Sequence, residues 1–159
     1  FFGSLKLRGN NMEMKVYVST VIEQDGKILL VQEAKEKNFQ KWNIPGGSLE
    51  LTEKAWEGAK REVQEETFLD VEITSLLGVY NSIGNNHSIR FVFVGKIVSG
   101  TAGAGDNILA VKWVDPAELV NLDPAHYINP LVFEASAKDY IDGVRYPVEA
   151  VREMGKHSK

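Results

Sequence analysis

The amino-acid sequence predicts an α/β protein, with a mixed β-sheet in an α/β/α sandwich. Two observations lead to this prediction: segments rich in β-branched residues recur along the chain, and one amphipathic helix pattern stands among them. A further helix pattern follows the last of these segments. The chain has 159 residues, of which 43% are hydrophobic and 25% are charged, as expected for one globular domain.

Five segments have the composition of β-strands. Residues 15–22 and 28–32 flank Asp25-Gly26, a dipeptide that favours a two-residue hairpin turn. The other three segments are 71–80, 89–98 and 108–114. Polar or glycine-rich stretches separate the strands and predict loops at 33–41, 44–47, 81–88 and 99–106. The last of these contains only small residues and aspartate, which predicts a mobile loop.

The amphipathic helix is predicted to begin after Thr52, a residue type that caps helix N-termini well. Leu51 and Trp56 then occupy the two positions of a hydrophobic staple. The predicted buried stripe consists of Ala55, Trp56, Ala59 and Val63. Later in the chain, Asp115-Pro116 predicts a short capped helix, and 130–141 predicts a longer one.

Composition excludes several classes of function. The chain has no cysteine, so a disulfide framework and a cysteine-ligated zinc site are both excluded. Its net charge of −4 argues against a nucleic-acid or membrane partner. No apolar run approaches the roughly 18 residues that span a bilayer, and no secretory signal is evident, which predicts a cytoplasmic protein. Monomer and homodimer both remain open.

Residues 1–13 are interpreted as an N-terminal segment that is either incomplete or foreign to the natural chain, because the sequence begins with Phe1. Residues 14–159 are predicted to form a single domain.

Three glutamates, Glu62, Glu65 and Glu66, are neighbours on the predicted helix. Each like-charged pair costs about 0.2–0.5 kcal/mol, and the negative end of the helix dipole adds to this cost. A divalent cation bound by the carboxylates would remove the conflict, since Mg²⁺ is held by carboxylate oxygens, waters and substrate phosphates. The alternative interpretation of these glutamates is a solvated acidic helix face.

The spacing around the glutamates resembles the Nudix box, G-x5-E-x7-R-E-U-x-E-E-x-G-U, where U is a bulky aliphatic residue. Eight of its nine specified positions match; they are Gly47, Glu53, Arg61, Glu62, Val63, Glu65, Glu66 and Leu69. The family's second glycine is Phe68 here. If the helix ends in a left-handed conformation at this residue, the conformation costs a phenylalanine about 1–2 kcal/mol.

The resemblance implies a Nudix fold with a loop-helix-loop motif that hydrolyses a nucleoside diphosphate linked to another group. It implies Mg²⁺ as the cofactor, with Mn²⁺ as a substitute, and a nucleotide as the small-molecule substrate. The implied metal ligands are the carboxylates of Glu62, Glu65 and Glu66 and the backbone carbonyl of Gly46. Asp106, at the end of the glycine-rich loop, is a candidate distal acid.

The implied catalytic residues are Glu53, Arg61, Glu62 and Glu65. Glu62 matches the general base proposed in some members, whereas other members use an acid outside the box. Arg61 and Glu53 match a salt-bridged pair of the family. The helix spacing itself favours Glu57 as a competing partner of Arg61, because these two residues are four apart.

The substrate is set outside the box. Gly84 and Asn85 stand where ADP-ribose members often carry proline and dinucleoside-polyphosphate members carry tyrosine, so neither signature is present. Segments within residues 88–149 resemble the phosphatase NudJ branch, which implies hydrolysis of nucleoside tri- or diphosphates. The alternatives are an ADP-ribose or nucleotide-sugar pyrophosphatase and a catalytically weak nucleotide-binding module, for which Phe68 is the only support.

Three further residues are candidates for substrate binding. Arg90 and Arg145 could contact phosphate or base, and the alternative is that each is an ordinary surface arginine. Trp42 precedes the glycine turn, where packing beneath the loop is the alternative to stacking on a base.

Overall fold

The computed structural model describes residues 13–84 and 87–155, and this part of the chain contains seven β-strands and two α-helices. The strands are β1 (Lys15–Gln24), β2 (Lys27–Glu33), β3 (Trp42–Asn43), β4 (Gly46–Ser48), β5 (Asp70–Ser82), β6 (Ser88–Ser99) and β7 (Ile108–Val114). The helices are α1 (Ala55–Thr67) and α2 (Pro130–Ile141). Four short 3₁₀ helices lie in the connections: Glu36–Asn38, Pro116–Leu119, Pro124–His126 and Val148–Ala150.

The strands form one mixed sheet with the order β3-β2-β1-β6-β5. β1 and β6 are parallel, with Val18 opposite Phe91, whereas the other strand pairs are antiparallel. The short β4 pairs with β1, and β7 pairs with β2. The long β1 therefore connects both halves of the sheet.

Each face of the sheet is covered by one helix, which confirms the predicted α/β/α sandwich. On one face, Phe133, Ala137 and Tyr140 of α2 pack in a buried cluster with residues such as Leu30 and Val92. On the other face, α1 packs through Ala55, Ala59 and Val63 against buried strand residues that include Val18, Ile22 and Phe93. Adjacent residues on β6, Val92 and Phe93, enter opposite clusters because successive strand side chains point to opposite faces.

Most local predictions are confirmed. Asp25 and Gly26 both have positive φ, 51° and 74°, as a two-residue hairpin turn of type I′ requires. The side chain of Asp115 accepts a hydrogen bond from the amide of Ala117 at 2.8 Å and caps the short helix that begins at Pro116. Helix α2 spans the predicted residues, with proline in its first turn. No helix in residues 13–84 and 87–155 is long and apolar enough to cross a membrane.

The predicted start of α1 is wrong. The residue that flanks the helix is Lys54, while Thr52 has a φ of 72° and lies in the preceding turn. Leu51 is 57% exposed, so the predicted staple does not form. The carboxylate of Glu57 instead accepts a hydrogen bond from the amide of Lys54 at 3.0 Å. Trp56 is only partly buried, whereas the rest of the predicted stripe is buried.

Two predicted loops are shorter than expected. Gly46 and Gly47 belong to β4, because the absence of a side chain lets this backbone pair closely with β1. The polar stretch after residue 80 begins as strand, since β5 continues to Ser82. Asn85 and residues 1–12 lie outside the described residues.

The glycine-rich loop before β7 is attached to α1, contrary to the prediction of a mobile loop. Its amides at Gly103, Gly105 and Asp106 donate hydrogen bonds of 3.0, 2.9 and 2.8 Å to carbonyl oxygens in the last turn of α1. These carbonyls have no partner within the helix. A Cβ atom at Gly105 would lie 2.1 Å from the carbonyl oxygen of Glu65, so the close approach requires glycine.

Phe68 ends α1 in the left-handed conformation, with φ 63° and ψ 11°, as the family glycine would. The expected backbone strain is therefore present. Phe68 is 53% exposed, and its ring lies against Gly103 of the glycine-rich loop. The helix ending is thus preserved although the residue type departs from the family pattern.

We expect Phe68→Gly to be neutral or mildly destabilising. Relief of backbone strain should stabilise the variant by about 1–2 kcal/mol. The larger entropy that glycine loses on folding destabilises it by about 0.5–1 kcal/mol, and loss of the half-buried ring destabilises it by up to about 1.5 kcal/mol. Phe68→Ala is the matched variant, since it loses the ring and keeps the strained φ. In urea unfolding, the free energy of unfolding of wild type should equal or exceed that of Phe68→Gly. That of Phe68→Gly should exceed that of Phe68→Ala. Equal or greater stability of the alanine variant would contradict the strain argument.

Candidate active site

A cleft of about 250 Å³ lies between the second half of α1, strand β4 and the start of β7. Its walls are predominantly acidic. The lining residues are Glu33, Lys35, Gly46, Gly47, Ser48, Glu50, Arg61, Glu62, Glu65, Glu66, Asp106, Asn107 and Ile108. The cleft therefore brings together the predicted metal ligands, Arg61 and the candidate distal acid Asp106.

Glu66 is the most buried acid of the cleft, with an exposure of only 9%. Its Oε1 accepts a hydrogen bond from the amide of Gly46 at 3.0 Å, which joins α1 to β4. Burial raises the pKa of Glu66 to about 8, with a further contribution from the charge of Glu62, while the hydrogen bond from Gly46 opposes the increase. A buried carboxylate with one hydrogen bond is a group that a cation would stabilise.

Glu62 lies against the backbone of Gly47. A Cβ atom at that glycine would be only 2.5 Å from the carboxyl carbon of Glu62. Burial raises the pKa of Glu62, and the guanidinium of Arg61 opposes this increase. Glu62 and Glu66 thus hold two carboxyl groups beside consecutive glycines of β4.

Arg61 is the centre of an ion-pair network. Its guanidinium lies 2.8 Å from Glu53, 2.9 Å from Glu62 and 3.2 Å from Glu65. It also donates a hydrogen bond of 3.1 Å to the carbonyl oxygen of Ser48. These partners raise the pKa of Arg61, and its hydrogen bonds hold the pKa of Glu53 below the usual range.

The predicted competition from Glu57 for Arg61 is wrong. Among the described residues the ion pairs of Arg61 are with other acids, and Glu57 is engaged by the amide of Lys54. The carboxylate of Glu53 is fixed beside the guanidinium because it also accepts a hydrogen bond of 2.7 Å from the amide of Glu50. Gly58 provides the space, since a Cβ there would lie 2.6 Å from Glu53 Oε1.

The donor atoms of the cleft fit a hard divalent cation, although the side chains do not yet form a coordination shell. Within residues 13–84 and 87–155 no three His, Asp or Glu side chains are grouped closely enough to hold a metal ion. In this arrangement Arg61 donates hydrogen bonds to both Glu62 and Glu65. The available ligand atoms are carboxylate oxygens, and Glu66 is nearly desolvated. Such hard oxygen ligands suit Mg²⁺ or Mn²⁺.

A second cleft of about 410 Å³ continues from the first and shares Glu33, Lys35 and residues 46–48 with it. Arg90 lines this second cleft, with its guanidinium 4.7 Å from the ring of Tyr17. It donates a hydrogen bond of 2.6 Å to Ser19 Oγ. Burial lowers the pKa of Arg90, and among the described residues it has no carboxylate partner.

Sequence reasoning missed Tyr17 and Ser19. The available signal is the alternation of β1, because a strand places residues two apart on the same face. Lys15 and Tyr17 line the second cleft, and Ser19 on the same face contacts Arg90. A polar series within a strand otherwise rich in valine therefore indicated a functional face.

The other two candidates for substrate binding lie elsewhere. Trp42 packs against the core on the α2 side of the sheet, and the amine of Lys112 lies 4.1 Å from its ring centroid. Arg145 lies 4.4 Å from the ring of Tyr140 and donates to backbone carbonyls near the end of α2. Neither residue lines the two clefts, so the structure brings only Arg90 to the site.

Comparison with known proteins yields consistent relatives. Residues 13–135 match the family described as NUDIX domain. An ADP-ribose pyrophosphatase of Methanocaldococcus jannaschii is 34% identical over 79% of this chain and 72% of its own. A phosphatase NudJ of Escherichia coli is 31% identical over 86% of this chain and 89% of its own. The structure of a NUDIX hydrolase from Nitrosomonas europaea aligns with a TM-score of 0.79 and 32% identity, covering 89% of this chain and 98% of that one.

Proposed function

Because the chain belongs to the NUDIX domain family and is a Nudix hydrolase, we propose that it catalyses Mg²⁺-dependent hydrolysis of a phosphoanhydride bond in a nucleoside diphosphate derivative. Nucleoside tri- or diphosphates are the favoured substrates. Enzymes of this family use divalent metal ions, and the choice of Mg²⁺, with Mn²⁺ as a substitute, rests on the oxygen-only donor set of the cleft.

One observation carries the proposal: Glu62 and Glu66 flank the β4 backbone in a cleft that also contains Glu65 and Asp106. We assign Glu62, Glu65, Glu66 and the carbonyl of Gly46 as the groups that hold the ion, with Asp106 close by. The bound ion would supply positive charge to the phosphate oxygens and a more acidic water. An acidic cleft of this kind would repel a polyphosphate without such a cation.

The chain's own groups would position the reactants and move the proton. Glu62, whose pKa is raised above the usual range, is the assigned acceptor of the proton of the attacking water. Arg61 fixes the carboxylates relative to the loop through Glu53. Phosphoryl transfer depends mainly on such positioning and on electrostatic stabilisation.

The two clefts differ in charge, and this difference orients the substrate. The first cleft is dominated by acids. The second cleft is lined by Lys15, Lys35, Lys37 and Arg90, and Glu33 is its only acid among the described residues. We assign the second cleft to an anionic part of the nucleotide. Arg90 is the strongest candidate contact, because it has donors to spare and no carboxylate partner in the described part of the chain.

We expect Arg90→Gln to raise KM for the nucleotide by about tenfold or more, because a hydrogen bond to a charged group contributes about 1.5–3 kcal/mol. The change in kcat should be smaller, since Arg90 lies outside the acidic cleft. Arg145→Gln is the matched control, because it removes the same charge from a residue that lines neither cleft. Steady-state kinetics at saturating Mg²⁺ provide the measurement. An equal effect of both substitutions would remove Arg90 from the substrate site.

The choice among substrates rests on the relatives. The relative named phosphatase NudJ matches over 89% of its own length, which supports the nucleoside tri- and diphosphates that the resemblance to this branch implies. The relative named ADP-ribose pyrophosphatase is slightly more identical over a shorter stretch, and it supports the alternative of an ADP-ribose or nucleotide-sugar pyrophosphatase. The remaining alternative, a catalytically weak nucleotide-binding module, loses support because Phe68 keeps the helix ending.

A panel of nucleoside triphosphates, nucleoside diphosphates, ADP-ribose and nucleotide sugars separates these functions. We expect the tri- and diphosphates to be hydrolysed faster than ADP-ribose, with orthophosphate among the products, and EDTA to abolish turnover. The products orthophosphate, pyrophosphate and nucleoside monophosphate are measured in separate reactions that contain Mg²⁺, Mn²⁺ or EDTA. Preference for ADP-ribose with AMP as product would favour the alternative, and nucleotide binding without turnover would favour the module.

A further inference from the structure

The last described residues cross from one side of the sandwich to the other. After α2, the backbone of Tyr146 pairs with Leu76 of the edge strand β5 through two hydrogen bonds of 2.8 and 2.9 Å. The chain then continues onto the face that carries α1. We call residues 146–153 the C-terminal strap. It lies beyond residue 135, where the match to the family ends.

The strap packs on the catalytic helix. Val148 and Val151 are partly buried against the cluster that contains Ala55 and Ala59 of α1. The carboxylate of Glu153 then accepts a hydrogen bond of 2.9 Å from the amide of Ala55, the first residue of α1. Two hydrophobic contacts and a polar contact thus attach the strap to the start of this helix.

Helix α1 gains from this contact, because the first-turn side chain of Glu57 caps only the amide of Lys54 and leaves the amide of Ala55 to Glu153. Lys54 flanks the helix and makes no side-chain capping hydrogen bond, and its positive charge is unfavourable at the positive end of the helix dipole. First-turn amides have no partner within the helix, and the carboxylate of Glu153 provides one for the amide of Ala55. A negative charge at this position is also favoured by the helix dipole.

The start of α1 is connected to the acidic cleft through residues already described. Glu53 directly precedes Lys54, and its carboxylate holds the guanidinium of Arg61 at 2.8 Å. Arg61 in turn contacts Glu62 and Glu65. Fraying of the first turn would therefore loosen the anchor of Arg61, although no residue of the strap lines the acidic cleft.

We propose that Glu153 is a positioning residue: by capping α1, the C-terminal strap fixes the first turn of the helix and, through Glu53 and Arg61, the carboxylates of the acidic cleft. The inference concerns the site of the hydrolase function proposed above and rests on that function for its kinetic part.

The test compares Glu153→Ala, Glu153→Gln and Glu149→Ala in the full chain. Glu149 is the matched control, because it lies in the same strap and is exposed. Amide hydrogen exchange in EDTA should be about fivefold faster at Ala55 and its first-turn neighbours in Glu153→Ala, the size of effect that a lost helix cap produces. Glu153→Gln keeps an acceptor oxygen and should restore most of the protection, whereas Glu149→Ala should match wild type.

The kinetic arm measures the Mg²⁺ concentration that gives half-maximal turnover. We expect an increase of about two- to tenfold in Glu153→Ala, with the nucleotide KM at saturating Mg²⁺ unchanged. Unchanged exchange at Ala55, or an equal change in Glu149→Ala, would overturn the cap. Faster exchange with an unchanged Mg²⁺ requirement would overturn its connection to the cleft. If exchange is faster in Glu153→Ala but the wild-type protein hydrolyses no nucleotide, the proposed function is refuted and the cap is still established.

Discussion

Glu66→Gln is expected to lower turnover by at least about a hundredfold while the protein remains folded. The substitution removes a buried anionic ligand, and even an outer-shell partner of a metal ligand typically costs 10–100-fold. The amide of glutamine retains an oxygen that can accept the hydrogen bond from Gly46, so the contact between α1 and β4 is kept. Glu57→Gln is the control, because Glu57 lies on the same helix outside the acidic cleft. Turnover is measured at saturating Mg²⁺ and nucleotide, and near wild-type turnover of Glu66→Gln would contradict the assigned site.

The same substitution has an effect on stability that depends on pH. In the metal-free protein the pKa of Glu66 is raised to about 8 from the ordinary value of 4.5, so the folded state keeps a proton that the unfolded state releases. Stability therefore falls as pH rises from about 4.5 to about 8. Glutamine does not titrate, and the variant lacks this loss.

Unfolding by urea in EDTA at several pH values tests this expectation. Relative to wild type, Glu66→Gln should gain stability between pH 5 and pH 8, by on the order of a few kcal/mol, since one pKa unit corresponds to about 1.4 kcal/mol. Saturating Mg²⁺ should reduce or reverse the gain, because an ion that binds only the folded state stabilises it. A difference between the two proteins that does not vary with pH would contradict the buried neutral carboxyl.

Alanine at the two glycines of β4 should produce different defects. At Gly46, the new Cβ would lie 2.3 Å from the backbone oxygen of Val18, so β4 must move away from β1. We expect Gly46→Ala to lose about 1–3 kcal/mol, as overpacked sites do, and hence several degrees in Tm. At Gly47, the three atoms nearest to the new Cβ are the carboxyl atoms of Glu62, at the end of a side chain that can turn aside. Gly47→Ala should therefore keep its Tm and lose turnover by about tenfold or more.

Thermal unfolding and steady-state turnover of the two variants are measured together. Gly84→Ala serves as the control, since within the described residues no atom beyond its chain neighbours lies within 4 Å of a Cβ at that position, and it should match wild type in both. Full activity of Gly47→Ala would mean that the position of Glu62 is unimportant for turnover. A loss of Tm in Gly47→Ala equal to that in Gly46→Ala would show that Glu62 cannot move.

Features with a local cause could be predicted from the sequence. The hairpin at Asp25-Gly26, the cap at Asp115 and the bounds of α2 depend on residues within one or two turns of each other, and the structure confirms them. The resemblance to the Nudix box is confirmed at the level of the family and the fold. The roles assigned to Glu62, Glu65 and Glu66 remain predictions, although all three line one cleft.

Features that depend on packing between distant segments could not be predicted. The spacing of four residues favoured Glu57 as the partner of Arg61, but the turn at Glu50 and the space beside Gly58 hold Glu53 there instead. The glycine-rich loop looked mobile because its tie to the last turn of α1 is made by backbone amides, which composition does not reveal.

The sequence by itself determined the fold class, the family and the set of acids available for chemistry, because periodicity and motif spacing are local properties of the chain. The tertiary structure alone decided which groups meet. In the fold, Glu66 is buried against Gly46, and Arg145 lies beside the ring of Tyr140. Glu153 binds the amide of Ala55, which is 98 residues away in the sequence. Such contacts follow from how helices and strands pack on one sheet, and the direction in which a distant side chain points is not encoded in its spacing from the motif.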